Sequence, residues 1–104
     1  VECKIGKGLR IHHFGGIIFH PSVVLGENCT LYHEVTIGDR GGSGNAARIG
    51  NNVMFGAGAK IIGEIEIGNN CIIGANAVVR KNVPDYSYVI GNPGVIKRRT
   101  DGKN

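Results

Sequence analysis

From Ile49 to Pro84 apolar and polar positions recur in sixes without a gap: IGNNVM, FGAGAK, IIGEIE, IGNNCI, IGANAV, VRKNVP. The first place is large and apolar (Ile49, Phe55, Ile61, Ile67, Ile73, Val79). The fifth is apolar and often small (Val53, Ala59, Ile65, Cys71, Ala77, Val83). Gly holds the second place four times (Gly50, Gly56, Gly68, Gly74), and Asn or Gly holds the fourth in five of six (Asn52, Gly58, Asn70, Asn76, Asn82). A short fixed period marks a repeat architecture. This one predicts short strands whose two inward side chains flank a corner, with Gly or Asn supplying the φ > 0 that turns it. Three such segments close a triangular coil of eighteen residues. Stacked coils pair their strands in parallel, so the expected fold is an all-β, single-stranded parallel β-helix. The general preference of parallel crossovers would make it right-handed.

The same period reads through the earlier chain as IGKGLR from Ile5 and IHHFGG from Ile11, then slips by two to resume at Phe19 with FHPSVV, LGENCT, LYHEVT and IGDRGG. Two extra residues near Gly15–Ile18 predict a bulge, a feature that often lies beside functional sites. Between Ile37 and Ile49 the Gly/Ser/Asn-rich stretch, about residues 39–48, has few inward apolar residues and reads as a loop leaving the coil. Past Pro84 the pattern dissolves. Tyr86, Tyr88, Val89 and Ile90 are expected to cap the open end and cover its strand edges, within a cap and tail of about residues 85–104 that frays from Thr100.

A chain of 104 residues is expected to form one domain, residues 1–104. It opens on Val in mid-pattern, so natural residues before Val1 are expected. Eighteen Gly without a three-residue period, and only three Pro, suit a corner-rich solenoid and exclude collagen. A thin prism with a small core predicts side-by-side association. The net charge of +4, with no Trp and scattered basic residues, argues against nucleic acid and suits a small polyanion. Cys3, Cys29 and Cys71 fall at the inward fifth place and read as buried thiols of a reducing, cytoplasmic compartment. They show no metal-ligand spacing, and no run is long and apolar enough to insert in a membrane.

Counting coils brings two histidines together. With the two-residue slip, Leu31 follows Ile11 by one coil, so His13 stacks beneath His33 on one corner, about 4.8 Å apart. The following coils are expected to place Asn51 and Asn69 on that corner too. His20, before Pro21, reads as structural.

The blocks RIHHFGGIIF, GENCTLYHEVTIGDRG, RIG, GAGAKIIGEIEIG, GANAVV, KNVP and GNP, spanning about Lys4 to Arg98, resemble the hexapeptide-repeat, left-handed β-helix acyltransferases. Within them the chain is similar to serine O-acetyltransferases, and still more to O-acetyltransferases of exopolysaccharide and capsule synthesis of the colanic acid type. The resemblance implies a left-handed coil, a homotrimer, and acetyl-CoA as donor without a metal. It makes His13 the catalytic base. In the family an acidic residue upstream of position 1 orients that base; within this chain His33 and Glu34 are the candidates for the task, His33 first because of its stacking on His13. A base that titrates near neutrality suits proton removal from an attacking hydroxyl, and backbone N–H groups at Gly-rich corners suit the oxyanion. Direct transfer needs no covalent enzyme intermediate. The pantetheine arm is expected at Gly38, Ala57, Gly58 and Ala75, with Lys81 and Arg98 of the Lys97–Arg99 run toward the phosphates.

Three departures set the expected acceptor. The chain has His12 where serine enzymes have Asp, and Asn45 and Ala46 where they have Arg and His. Those family residues hold the amino acid's charges. The sequence therefore predicts a sugar hydroxyl of polysaccharide synthesis as acceptor, touched by His12 and Asn45. Serine acetylation in cysteine biosynthesis is the alternative. A zinc enzyme of the gamma-carbonic-anhydrase type is a second, needing three histidine ligands whose spacing is not found here. A solenoid that has lost catalysis is a third.

Overall fold

Short apolar-flanked strands do close into a three-walled prism. The computed structural model describes residues 3–12, 15–39 and 45–100. Its strands are β1 (Lys4–Ile5), β2 (Arg10–Ile11), β3 (Ile18–Phe19), β4 (Val24–Leu25), β5 (Thr30–Leu31), β6 (Thr36–Gly38), β7 (Arg48–Ile49), β8 (Met54–Phe55), β9 (Lys60–Ile62), β10 (Glu66–Ile67), β11 (Ile72–Ile73), β12 (Val78–Val79), β13 (Ser87–Ile90) and β14 (Val95–Arg98). Through β12 every third strand shares a wall, and β13 and β14 extend the second. The first wall is β1-β4-β7-β10, the second β2-β5-β8-β11-β13-β14, and the third β3-β6-β9-β12. All neighbours are parallel except β13 and β14. The result is an all-β solenoid of about four turns, consistent with the left-handed β-helix that the resemblance implies.

First-place residues stack in columns, Leu25–Ile49–Ile67, Leu31–Phe55–Ile73 and Ile37–Ile61–Val79, all buried. Fifth-place Cys29, Val53, Cys71 and Ala77 fill the corners between them. Fourth-place Asn28, Asn52, Asn70 and Asn76 adopt φ of 58–59°, as does Glu34. At these corners the side chain that best tolerates a left-handed backbone has been used repeatedly. Asn82 departs from the rule: its Oδ1 accepts from the Glu66 N–H at 2.9 Å and its φ is not positive.

Second-place glycines answer to space, not to φ. At the corner between the first and second walls, the N–H of Glu27 donates to Asn51 Oδ1, that of Asn51 to Asn69 Oδ1, and that of Asn69 to Asp85 Oδ1, each at 2.8 Å. A Cβ on Gly26, Gly50 or Gly68 would overlap that same Oδ1 of Asn51, Asn69 or Asp85.

The register corrects one expectation. Asn51 and Asn69 sit on this first corner, whereas His33 shares its corner with Ala57 and Ala75: the Gly58 N–H donates to His33 O (3.0 Å) and the Asn76 N–H to Ala57 O (2.9 Å). The stretch between β6 and β7 adds six residues, so Leu31 pairs with Phe55 and not with residue 49. An insertion of six keeps the phase within a repeat but moves the chain one wall on. The bulge is in place: eight residues separate Ile11 from Phe19 where six separate their partners Leu31 and Ile37, and Gly15 and Gly16 take φ of 133° and 65°.

The last six is not a full repeat. Val83 already bridges to Ile67 on the first wall, four residues after Val79 rather than six. β13 then continues the second wall, with Val89 buried against Ile73, and β14 runs antiparallel along its edge. Val89 closes the core. Tyr88 and Ile90 alternate outward and remain partly exposed.

Candidate functional site

His33 is exposed at the corner between the second and third walls, just after β5. One position earlier on the same wall, the His12 ring stacks on Tyr32, with centroids 4.9 Å apart and an interplanar angle of 16°. The β2–β5 register produces that stack, since Ile11 pairs with Leu31 and the His12 N–H donates to Leu31 O at 2.8 Å. His13 lies outside the described residues, and with it the expected pairing with His33. Above the two rings the column turns small, through Gly56–Ala57 and Gly74–Ala75. The wall therefore carries bulky rings low down and a narrow shelf above.

The expected donor-side residues divide among several places. Ala57 and Ala75 lie on the His33 corner. Gly58 is there as well, but its φ of 75° and the overlap of an added Cβ with Asn76 Oδ1 make it a corner glycine. Its N–H is bonded to His33 O, and its carbonyl accepts from Lys60 Nζ at 3.0 Å. Gly38 ends β6 at the far edge of the third wall, and an added Cβ there meets open space. Lys81 lines a depression of about 170 Å³ with Val78, Arg80 and Pro93. Arg98 lines another of about 340 Å³ with Ile72, Tyr88 and Arg99. A larger groove of about 580 Å³ runs along the first wall past Arg48, Glu66 and Asp85, away from His33.

β6 ends and β7 begins on either side of the corner between the third and first walls. Residues 40–44 lie outside the described residues. Asn45 is exposed and its Nδ2 donates to Glu64 Oε2 at 3.4 Å. Ala46 is buried, with its N–H bonded to Ser22 Oγ at 2.7 Å. His33 and Asn45 thus flank opposite edges of the third wall.

Sequence reasoning missed the polar cluster at that second corner. His20, read as structural, contacts Ser22 through Nδ1 and faces Asp39 through Nε2 at 3.7 Å. Spacing in sixes hides it, because the six residues inserted between Asp39 and Ala46 leave the period unbroken and give no sign that the two flank a corner. Among the described residues no group of three His, Cys, Asp or Glu side chains is arranged to hold a metal ion, and no helix is long and apolar enough to cross a membrane.

Residues 46–81 match the family model described as bacterial transferase hexapeptide (six repeats). A relative named serine acetyltransferase, from Staphylococcus aureus (strain Mu50), is 44% identical over 99 residues, which are 93% of this chain and 46% of the relative. Among solved structures, serine acetyltransferase from Brucella abortus strain S19 superposes with a TM-score of 0.88 at 36% identity, covering 93% of this chain and 40% of that one. That of Neisseria gonorrhoeae, solved in complex with serine, gives 0.86 at 40% identity over 89% and 39% of the two chains. The chain spans less than half the length of the relatives it matches.

These relatives overturn the expected sugar acceptor of polysaccharide synthesis, since proteins similar along nearly the whole chain carry the name of the alternative. The expectation rested on His12, Asn45 and Ala46. Ala46 is packed in the core with its N–H tied to Ser22, so that position reports packing at the loop's root and says little about an acceptor.

Proposed function

We propose that this chain, which belongs to the hexapeptide-repeat acetyltransferase family, carries the acyl-transfer site of a serine O-acetyltransferase, with acetyl-CoA as donor. The observation that carries the proposal is the 44% identity to a serine acetyltransferase over 93% of the chain. In the proposed reaction His13 takes the proton of the serine hydroxyl as its oxygen attacks the thioester carbonyl. Backbone N–H groups hold the tetrahedral oxyanion, the C–S bond breaks, and the departing thiolate recovers the proton from the imidazolium. Acetyl transfer is direct. His33 lies on the wall that carries β2 and serves the base. The small residues Ala57, Ala75 and Gly38 border the third wall, where the pantetheine arm would lie, with Lys81 and Arg98 toward its phosphates.

The working unit in this proposal is a homotrimer. His33 and Asn45 flank opposite edges of one wall, so a cleft between two prisms brings one chain's His33 to a neighbour's Asn45 and completes an acceptor site that a single chain leaves divided. Free Cys3, Cys29 and Cys71 fit the reducing cytoplasm. The test follows free thiol while the protein is incubated with acetyl-CoA and serine, nucleotide sugars or polysaccharide repeat units in turn. Thiol release with serine supports the proposal, and release only with a sugar, or with none of them, overturns it.

A further inference from the structure

At the corner between the third and first walls, four groups form one directed chain of polar contacts. The Ala46 N–H donates to Ser22 Oγ at 2.7 Å. The Ser22 hydroxyl lies 3.0 Å from His20 Nδ1, and the Ser22 N–H also points at Nδ1, at 3.1 Å. A backbone N–H can only donate, so Nδ1 is the lone-pair nitrogen of the ring, and the Ser22 hydroxyl, already accepting from Ala46, shares that one lone pair with the Ser22 N–H. The remaining ring proton therefore sits on Nε2, which faces Asp39 Oδ2 at 3.7 Å. That is long for a hydrogen bond and close for an electrostatic contact. His20 itself is fixed by its backbone: its carbonyl accepts from the Val23 N–H at 3.0 Å and from Cys3 Sγ at 3.3 Å, and its own N–H donates to Ile37 O at 2.8 Å.

We propose that His20, Ser22 and Asp39 form a clamp that positions the acceptor-side residue Asn45, by fixing both the departure point (Asp39) and the return point (Ala46) of the six-residue insertion. The imidazole bridges the two ends. Its Nε2 edge addresses the residue just after β6, and its Nδ1 edge, through Ser22, addresses the residue that follows Asn45. Three features separate this from ordinary corner geometry. Along the corner between the first and second walls, and further along this same corner at Asn82, the coils are capped by Asn or Asp side chains. This turn uses an imidazole, and it does so where six extra residues are inserted between β6 and β7. The Ala46 N–H, with no neighbouring coil strand as its acceptor, is met by a side chain. The clamp rests on the proposed function only in assigning Asn45 to the acceptor side.

Hydrogen exchange and kinetics on the intact protein test the clamp together. Ser22→Ala should speed amide exchange at Ala46 by about fivefold or more, the scale of one net hydrogen bond. It should raise KM for serine by a similar factor, with KM for acetyl-CoA and kcat within about twofold of wild type. Ser22→Thr should restore both values. His20→Asn, whose Oδ1 can replace Nδ1 but cannot reach Asp39, should keep Ala46 more protected than His20→Ala does. Unchanged exchange at Ala46 in Ser22→Ala would overturn the clamp. Faster exchange with an unchanged KM for serine would overturn its positioning role. If the wild-type protein does not acetylate serine, the proposed function fails, and the exchange data alone decide whether the clamp exists.

Discussion

Replacing Gly50 by Ala isolates the physics that makes this repeat glycine-rich. Gly50 has no positive φ, so its backbone accepts an alanine, and restricting the unfolded chain alone would stabilise the protein by about 0.4–1 kcal/mol. Space opposes this. The new Cβ would overlap Asn69 Oδ1 and approach Asn69 N and Gly68 C at 3.0 Å. The Asn69 side chain must swing away, and the Asn51 N–H loses its 2.8 Å partner. Loss of that hydrogen bond costs about 1 kcal/mol, and the residual backbone crowding about 1–3 kcal/mol. Crowding outweighs the entropic gain, for a net loss of roughly 1–3 kcal/mol. Urea unfolding at fixed protein concentration measures it, within a double-mutant cycle with Asn69→Ala. The single Asn69→Ala change should cost about 1 kcal/mol, and Gly50→Ala on that background should cost clearly less than in wild type, giving a coupling above about 0.5 kcal/mol. Gly38→Ala is the control, since its Cβ meets open space. Equal costs of Gly50→Ala in both backgrounds would refute the assignment of this glycine to the Asn ladder.

Phe55 is fully buried at the centre of the second wall, so Phe55→Ala should lower unfolding free energy by about 3–5 kcal/mol, read by the same urea titration. Burial pushes the thiols of Cys29 and Cys71 above the ordinary 9.0, an effect only partly offset by backbone hydrogen bonds from Val53 and Asn52 in the first case and Ser87 and Tyr86 in the second. In the native protein, alkylation at neutral pH should therefore reach Cys3 first, with the other two following only on unfolding; equal rates by mass spectrometry would contradict this. The folded state holds these protons more tightly than the unfolded chain. Their contribution is thus intact below pH 9.0 and declines as pH rises through and beyond it, so the urea midpoint should fall more steeply above that pH in wild type than in Cys29→Ala/Cys71→Ala.

Much of the fold was legible because each repeat buries one large residue and turns once. The buried first and fifth places, the left-handed asparagines and the bulge before β3 all follow from residue types whose physics is local. What was lost needed counting in three dimensions. The insertion before β7 keeps the period, so the sequence alone could not show that it moves Asn51 off the His33 corner. The shortened last coil hid in the same way, because Val83 is apolar whether it serves as a fifth place or as a first. At the site, the side-by-side placement of His12 and Tyr32 follows from strand register, while the His20–Ser22–Asp39 cluster had no periodic signal. Charge alone at His12, Asn45 and Ala46 does not report the acceptor, because Ala46 is buried with its N–H on Ser22 Oγ.

The central claim is that His13 removes the proton from serine during direct transfer from acetyl-CoA. Free thiol released from acetyl-CoA in the presence of serine should be followed for the wild-type protein and for His13→Ala, with unfolding midpoints and oligomeric state compared alongside. The claim predicts serine-dependent thiol release by wild type and a loss of about 10²-fold or more in His13→Ala, with fold and assembly unchanged. Serine-dependent release at the wild-type rate from a folded His13→Ala protein would contradict it.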